Sequence, residues 1–170
     1  MPRVLASYVR YIDAMNRKVG VGVGYIIFVI IGILLAEAIR RYAFNSPTVW
    51  SIEMSQFLFG AYFIVGGGYA LVSGGMVRMD ILYSRWSPRK RAIIDAAMFV
   101  FFIIYVVTTL WATTDHAIIS TMMGQHSGSP WRPPLYPIKI TVAVGVFLLL
   151  LQGIACFIRD IATIRGKPLP

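Results

Sequence analysis

The side chains through which this chain could do chemistry are few: seven acidic residues, two histidines and one cysteine. An ionisable group deep in an apolar segment is a functional site by default, because it is expensive to keep there unless it works or is paired. Glu37 and Glu53 come nearest to that condition. Glu37 sits in the last turn of an apolar stretch with Arg40 and Arg41 at i+3 and i+4, and Glu53 sits in the first two turns of another, where negative charge suits a helix N-terminus. Both read as interfacial groups. His116 and His126 are ten residues apart on one segment and its following loop, which is not the facing pair that axial haem ligation needs. Cys156 has no second cysteine to form a disulfide or a metal pair and reads as a small packing residue. Gly66-Gly67-Gly68 lacks the Lys-Ser/Thr of a phosphate-binding loop. No nucleophile with its base, metal cluster or cofactor motif is visible, so neither an enzyme nor a cofactor is expected.

The elements that would position these groups are four apolar stretches, about 19–39, 49–72, 93–111 and 138–158. Each meets the ~20 residues that a helix needs to cross a bilayer core. The expected fold is all-α, a polytopic membrane protein of four transmembrane helices forming a single domain over 1–170. Hydrophobic residues make up 58% of the chain and charged residues 14%, and little length remains for a soluble domain.

Lys and Arg are distributed unevenly. Four precede the first span, two follow it, five lie between the second and third, two between the third and fourth, and three in the tail. One orientation places twelve inside and four outside, as the positive-inside rule requires, with N and C termini cytoplasmic. In a soluble domain a net charge of +9 would raise nucleic-acid binding; here the basic residues cluster at span ends, where they set topology and meet lipid headgroups. Membrane lipids, not nucleic acid, are the expected partner. Arg17-Lys18, the apolar run and Ala36-Glu37-Ala38 mimic a cleavable secretory signal, but the run is longer than a signal core and Arg40-Arg41 follow it, so an uncleaved span is expected.

Residues 1–18 place Val4, Leu5, Tyr8, Val9, Ile12 and Met15 near helical spacing with charges between them, which points to an amphipathic helix along the cytoplasmic face. Ser46-Pro47 offers an N-cap and first-turn proline for the second span, and Gly74-Gly75 ends it. Within that span Gly66, Ala70 and Gly74 recur every fourth residue, the small-xxx-small pattern of close helix contact; Gly20/Gly24 and Gly32/Ala36 echo it in the first span. The third helix starts at Ser87-Pro88 and keeps its pattern to about 123, too long for the bilayer unless it tilts or protrudes. Pro130, Pro133, Pro134 and Pro137 make 124–137 a stiff external crossing, with Trp131 and Tyr136 suited to the interface, and 159–170 a cytoplasmic tail.

Read in order, several short segments look familiar: Arg41-Tyr42-Ala43-Phe44-Asn45-Ser46-Pro47, Trp50-Ser51-Ile52-Glu53, Gly75-Met76-Val77-Arg78-Met79-Asp80, the Ser-Pro-Arg-Lys-Arg restart, and Pro133-Pro134-Leu135-Tyr136-Pro137-Ile138-Lys139 with Leu150-Leu151-Gln152-Gly153. Over about residues 20–165 the chain resembles the small, four-span membrane subunit of tripartite ATP-independent periplasmic (TRAP) transporters. Met54 stands where that family often has a second acid, and Met76 where it often has His. The resemblance implies a bacterial inner-membrane subunit in ion-gradient-driven uptake of a small organic acid. A periplasmic substrate-binding protein would deliver the acid, and a large TRAP membrane subunit would hold the substrate and ion sites while the small subunit braces it.

On that basis Trp50, Glu53, Gly66, Ala70 and Gly74 are candidate contacts with the large subunit, and Arg40, Arg41, Trp131 and Arg132 candidate docking residues for the binding protein. The alternatives are an autonomous four-helix transporter of the multidrug-exporter type, whose acid would sit mid-bilayer in its first helix, and a haem-bearing anchor for a redox enzyme.

Overall fold

A computed structural model describes residues 3–74 and 88–166. The basic loop with Arg78 and Arg85, the Gly75–Asp80 segment, Ser87 and the end of the tail lie outside the described residues. Among the described residues five helices carry the fold: α1 (Arg3–Gly24), α2 (Ile26–Ala43), α3 (Ser51–Val72), α4 (Pro88–Met122) and α5 (Tyr136–Ile164). Among these residues four helical stretches are long and apolar enough to cross a membrane, with α1 and α2 together forming the first.

The helices form a row rather than a closed bundle. α5 packs on α4 and α3, α3 on α2, and α1 lies across α3 and α5. Gly60, Ile64 and Gly67 of α3 face Ile138, Gly145 and Leu149 in rising order, so α3 and α5 run parallel. Phe102 meets Gly153 and Phe99 stacks on Phe157 at 4.3 Å, which sets α4 antiparallel to α5. In the apolar window of α5 28% of residues are buried, against 6% in α4, which marks α5 as the central element.

Small residues on α5 make that centre possible. A Cβ at Gly145 would lie 3.0 Å from the Ile64 carbonyl carbon of α3, and one at Gly153 would lie 2.2 Å from the Phe102 ring of α4. Ala155, fully buried, clusters with Val9 and Ile12 of α1. At 100° per residue, Gly153 is turned about 80° and Ala155 about 280° from Gly145. Each neighbour therefore has its own small residue on α5, and backbones approach closely where packing rather than water expulsion holds helices together.

Two boundaries differ from the sequence expectation. The amphipathic segment does not end near Lys18 but continues to Gly24, and the chain breaks at Tyr25 before α2. The second long helix starts at Ser51, not at Pro47, because 45–50 is held as a loop: Asn45 has φ of 47°, the Ser46 amide donates to the Arg40 carbonyl, and Thr48 is tied to Glu37. Local cap chemistry at Ser46-Pro47 lost to a carboxylate eleven residues upstream. α4 is 35 residues long, roughly 52 Å at 1.5 Å per residue, and exceeds a hydrocarbon core of about 30 Å. Pro88, Met122 and the turn at Gly74, with φ of 67°, fall where the sequence placed them.

Candidate partner interface

At the end of the row that holds 44–50 and 123–135, Glu37 is the organising group. Its side chain is 6% exposed; Oε1 accepts from Arg41 Nη2 at 2.8 Å, and Oε2 accepts from the Thr48 amide at 3.1 Å and from the Thr48 hydroxyl. The Thr48 oxygen lies 2.8 Å from Ser51 Oγ, and Ser55 Oγ donates to the Ser51 carbonyl. The carboxylate thus clips the end of α2 to the start of α3. Arg41 is consumed by this clip, whereas Arg40 stays exposed and lends only its carbonyl.

Trp50, the residue before the first turn of α3, and Glu53, within that turn, meet the second loop. Ser129 Oγ donates to Glu53 Oε2, and the Trp50 and Trp131 rings are tilted with centroids 6.5 Å apart. The loop is braced by its own bonds: the Ser127 amide donates to Pro133, the Leu135 amide to Gln125, and Lys139 Nζ to Gln125 Oε1 at 2.7 Å. Arg132 takes φ of 50° and is exposed beside the tryptophan pair. So Trp50, Glu53, Trp131 and Arg132, assigned by sequence to two different surfaces, share one. Tyr42 at the end of α2 and Phe44 and Val49 of the first loop are also exposed.

The Gly66/Ala70/Gly74 series lies elsewhere. Gly66 is thirteen residues from Glu53, about 20 Å along the helix. Gly66 and Ala70 border a groove of about 310 Å³ with Gly20 and Gly24 of α1, walled by Phe63 and Tyr69. A Cβ at Gly66 or Gly24 would meet nothing within 4 Å, while one at Gly20 would strike Tyr69 at 2.3 Å. The helices touch at Gly20 and open beyond it. Gly74 is not part of this groove; it follows the C-cap, Ser73.

Sequence reasoning missed a polar chain at the opposite end. Asn16 Nδ2 donates to Gln152 Oε1 at 2.8 Å, Gln152 Nε2 donates to Asp13 Oδ1 at 2.8 Å, and Arg159 Nη2 pairs with Asp13 Oδ2 at 2.5 Å. Tyr8 donates to the Leu151 carbonyl at 3.3 Å. Asn16 and Gln152 are fully buried. The signal was Gln152 itself, an amide inside an apolar span, which requires an internal partner. His116 and His126 are not joined; His126 Nδ1 lies 2.7 Å from the Gly124 carbonyl, and among the described residues no group of three His, Cys, Asp or Glu is placed to hold a metal.

A row of membrane-length helices, polar clips at both ends and an open groove of small residues define a multi-span membrane protein. Residues 30–163 match the family of the DctQ component of tripartite ATP-independent periplasmic transporters, and the chain belongs to that family. It is the small membrane subunit of a TRAP transporter; the family is one of transporter components, which work within a multi-subunit complex, and is not an enzyme class. The match begins within α2, so all of α1 precedes it. No curated protein matches the chain.

Proposed function

We propose that this subunit braces the large TRAP membrane subunit during ion-gradient-driven uptake of a small organic acid delivered by a periplasmic binding protein. Its loops at 44–50 and 123–135 face the periplasm and its termini the cytoplasm of a bacterial inner membrane, the arrangement that the positive-inside count favours. The observation that carries the reading is the open α1/α3 groove at Gly66 and Ala70, beside a chain whose acids Asp13, Glu37 and Glu53 are already tied by internal bonds. A small-residue groove accepts a helix at close range, and committed carboxylates leave little to grip a solute. Glu37 in particular is clamped at a helix end, which disfavours the autonomous multidrug-exporter alternative. The rigid surface at Trp50, Trp131, Arg132 and Arg40 is the docking site for the binding protein, and Arg41 supports it from behind through Glu37.

Co-purification tests the bracing role. Gly66→Leu or Ala70→Leu should lower recovery of the large subunit, and unchanged recovery removes that groove from the interface. Reconstituted vesicles holding the large subunit and binding protein should take up substrate only when this chain is present. Transport by the isolated chain would sink the proposal.

A further inference from the structure

The two faces of α1 have different fates. Val9, Ile12 and Asn16 are buried against α5 and α3, and Tyr8 bonds to Leu151. Ser7, Arg10, Tyr11, Ala14, Arg17, Lys18 and Val21, spaced by three or four residues on one stripe, are all exposed. Asp13 is the sole acid of α1, and it points the other way, held by Arg159 and Gln152. Arg10, Arg17 and Lys18 therefore share an exposed face that has no acid, and form no ion pair among the described residues. Tyr11, 71% exposed, lies between them. The three cations span eight residues, about 12 Å of helix.

We propose that this face is a binding ledge for anionic phospholipid headgroups, with phosphatidylglycerol as the matching class. Charge complementarity identifies the occupant: a basic helix face with an aromatic ring at its margin seats at a bilayer interface and attracts anionic lipid. The Asp13–Arg159 pair does two things for the ledge. It takes up the one carboxylate of α1, which would otherwise repel a phosphate, and with Asn16–Gln152 it fixes the roll of α1 so that the cations stay outward. The ledge rests on the reading of this end as the one at the inner leaflet, and it goes beyond bracing the permease.

The test uses the full chain, purified with its large subunit in mixed micelles containing phosphatidylcholine with or without phosphatidylglycerol, with bound lipid counted by native mass spectrometry. The wild type should retain phosphatidylglycerol in preference to phosphatidylcholine, and less of it as salt rises. Each basic residue near an anionic surface contributes about a fivefold preference, so Arg10→Gln/Arg17→Gln/Lys18→Gln should lose roughly a hundredfold. An uncharged substitution on the same stripe, Ser7→Ala, should leave phosphatidylglycerol retention unchanged. Equal phosphatidylglycerol retention by the triple variant overturns the ledge. So does an Arg17→Cys thiol that alkylates in the isolated chain but is shielded by the large subunit without anionic lipid. If the triple variant fails to assemble, Arg10→Gln and Lys18→Gln alone, each expected to lose about fivefold, decide the matter. Loss of large-subunit recovery in the wild type would instead strike the bracing role, a separate readout of the same sample.

Discussion

Asn16 of α1 and Gln152 of α5 share a 2.8 Å hydrogen bond between side chains that are both fully buried, 136 residues apart in sequence. It fastens a helix that precedes the family match to the central helix of the row. Among the described residues the Asn16 oxygen has no hydrogen-bond partner, and it sits where a Cβ on Gly68 would intrude at 2.5 Å, so the amide is held with little slack.

Breaking this clasp should loosen α1 first. Gln152→Ala strands the Asn16 amide and releases Asp13 on one side, an expected loss of about 1–2 kcal/mol, since unmet buried groups are costly but interhelical bonds in membranes are individually modest. A double-mutant cycle with Asn16→Ala, followed by thermal unfolding in detergent, should give a coupling of about 0.5–1.7 kcal/mol. Strict additivity of the two substitutions would show that the bond does not hold the helices.

The glycines should sort into two groups. A Cβ at Gly145 meets the backbone of Ile64 at 3.0 and 3.1 Å, and backbone cannot swing aside. Gly145→Ala should therefore destabilise the chain by about 1–3 kcal/mol, the usual penalty of overpacking. Gly66→Ala meets nothing within 4 Å, and should be neutral or gain up to about 1 kcal/mol from helix propensity. If Gly66→Ala lowers the unfolding temperature of the isolated chain as much as Gly145→Ala, the groove is closed within the chain and cannot serve a partner.

At the Glu37 clip, the two partners should weigh differently. Arg41 is 44% exposed, so Arg41→Gln should cost under about 1 kcal/mol. Thr48 gives the same carboxylate two hydrogen bonds, one from backbone and one from side chain, and bonds to a charged group contribute about 1.5–3 kcal/mol each. Thr48→Val should thus expose 44–50 to protease more than Arg41→Gln does, with Glu37→Ala the most sensitive. The reverse order would assign the clip to the ion pair.

Much of this architecture was legible because it is local. Apolar runs long enough to span, Pro88 at a helix start and Gly74 past a helix end each follow from a few adjacent residues. The small-xxx-small spacing of Gly66 and Ala70 was visible too, but a spacing names a face and not its neighbour. Gly145 and Gly153, without that spacing, are pressed against other helices of this chain, as are Gly20 and Gly68. The start of α3 was misplaced because the winning interaction joins Thr48 to Glu37 across a loop. Asp13 and Arg159 read as surface charges at opposite ends of the sequence, and only the parallel course of α3 and α5 beneath α1 brings them together.

The second loop offers a way to separate docking from assembly. Trp131 reaches Trp50 across the loop end, and Ser129 is anchored on Glu53, so the surface that carries Arg132 is held by α3 and not by the groove at Gly66. Trp131→Ala removes one aromatic pair worth about 0.5–1.5 kcal/mol. It should raise the concentration of binding protein needed for half-maximal uptake by roughly two- to tenfold, at 1.4 kcal/mol per decade, while recovery of the large subunit stays unchanged. Glu53→Gln keeps an acceptor for Ser129 and should act weakly, whereas Glu53→Ala should approach the tryptophan variant. Vesicle uptake titrated with binding protein reads the first effect and co-purification the second. A Trp131→Ala subunit that titrates like wild type but loses the large subunit would move this loop from the docking surface to the permease interface.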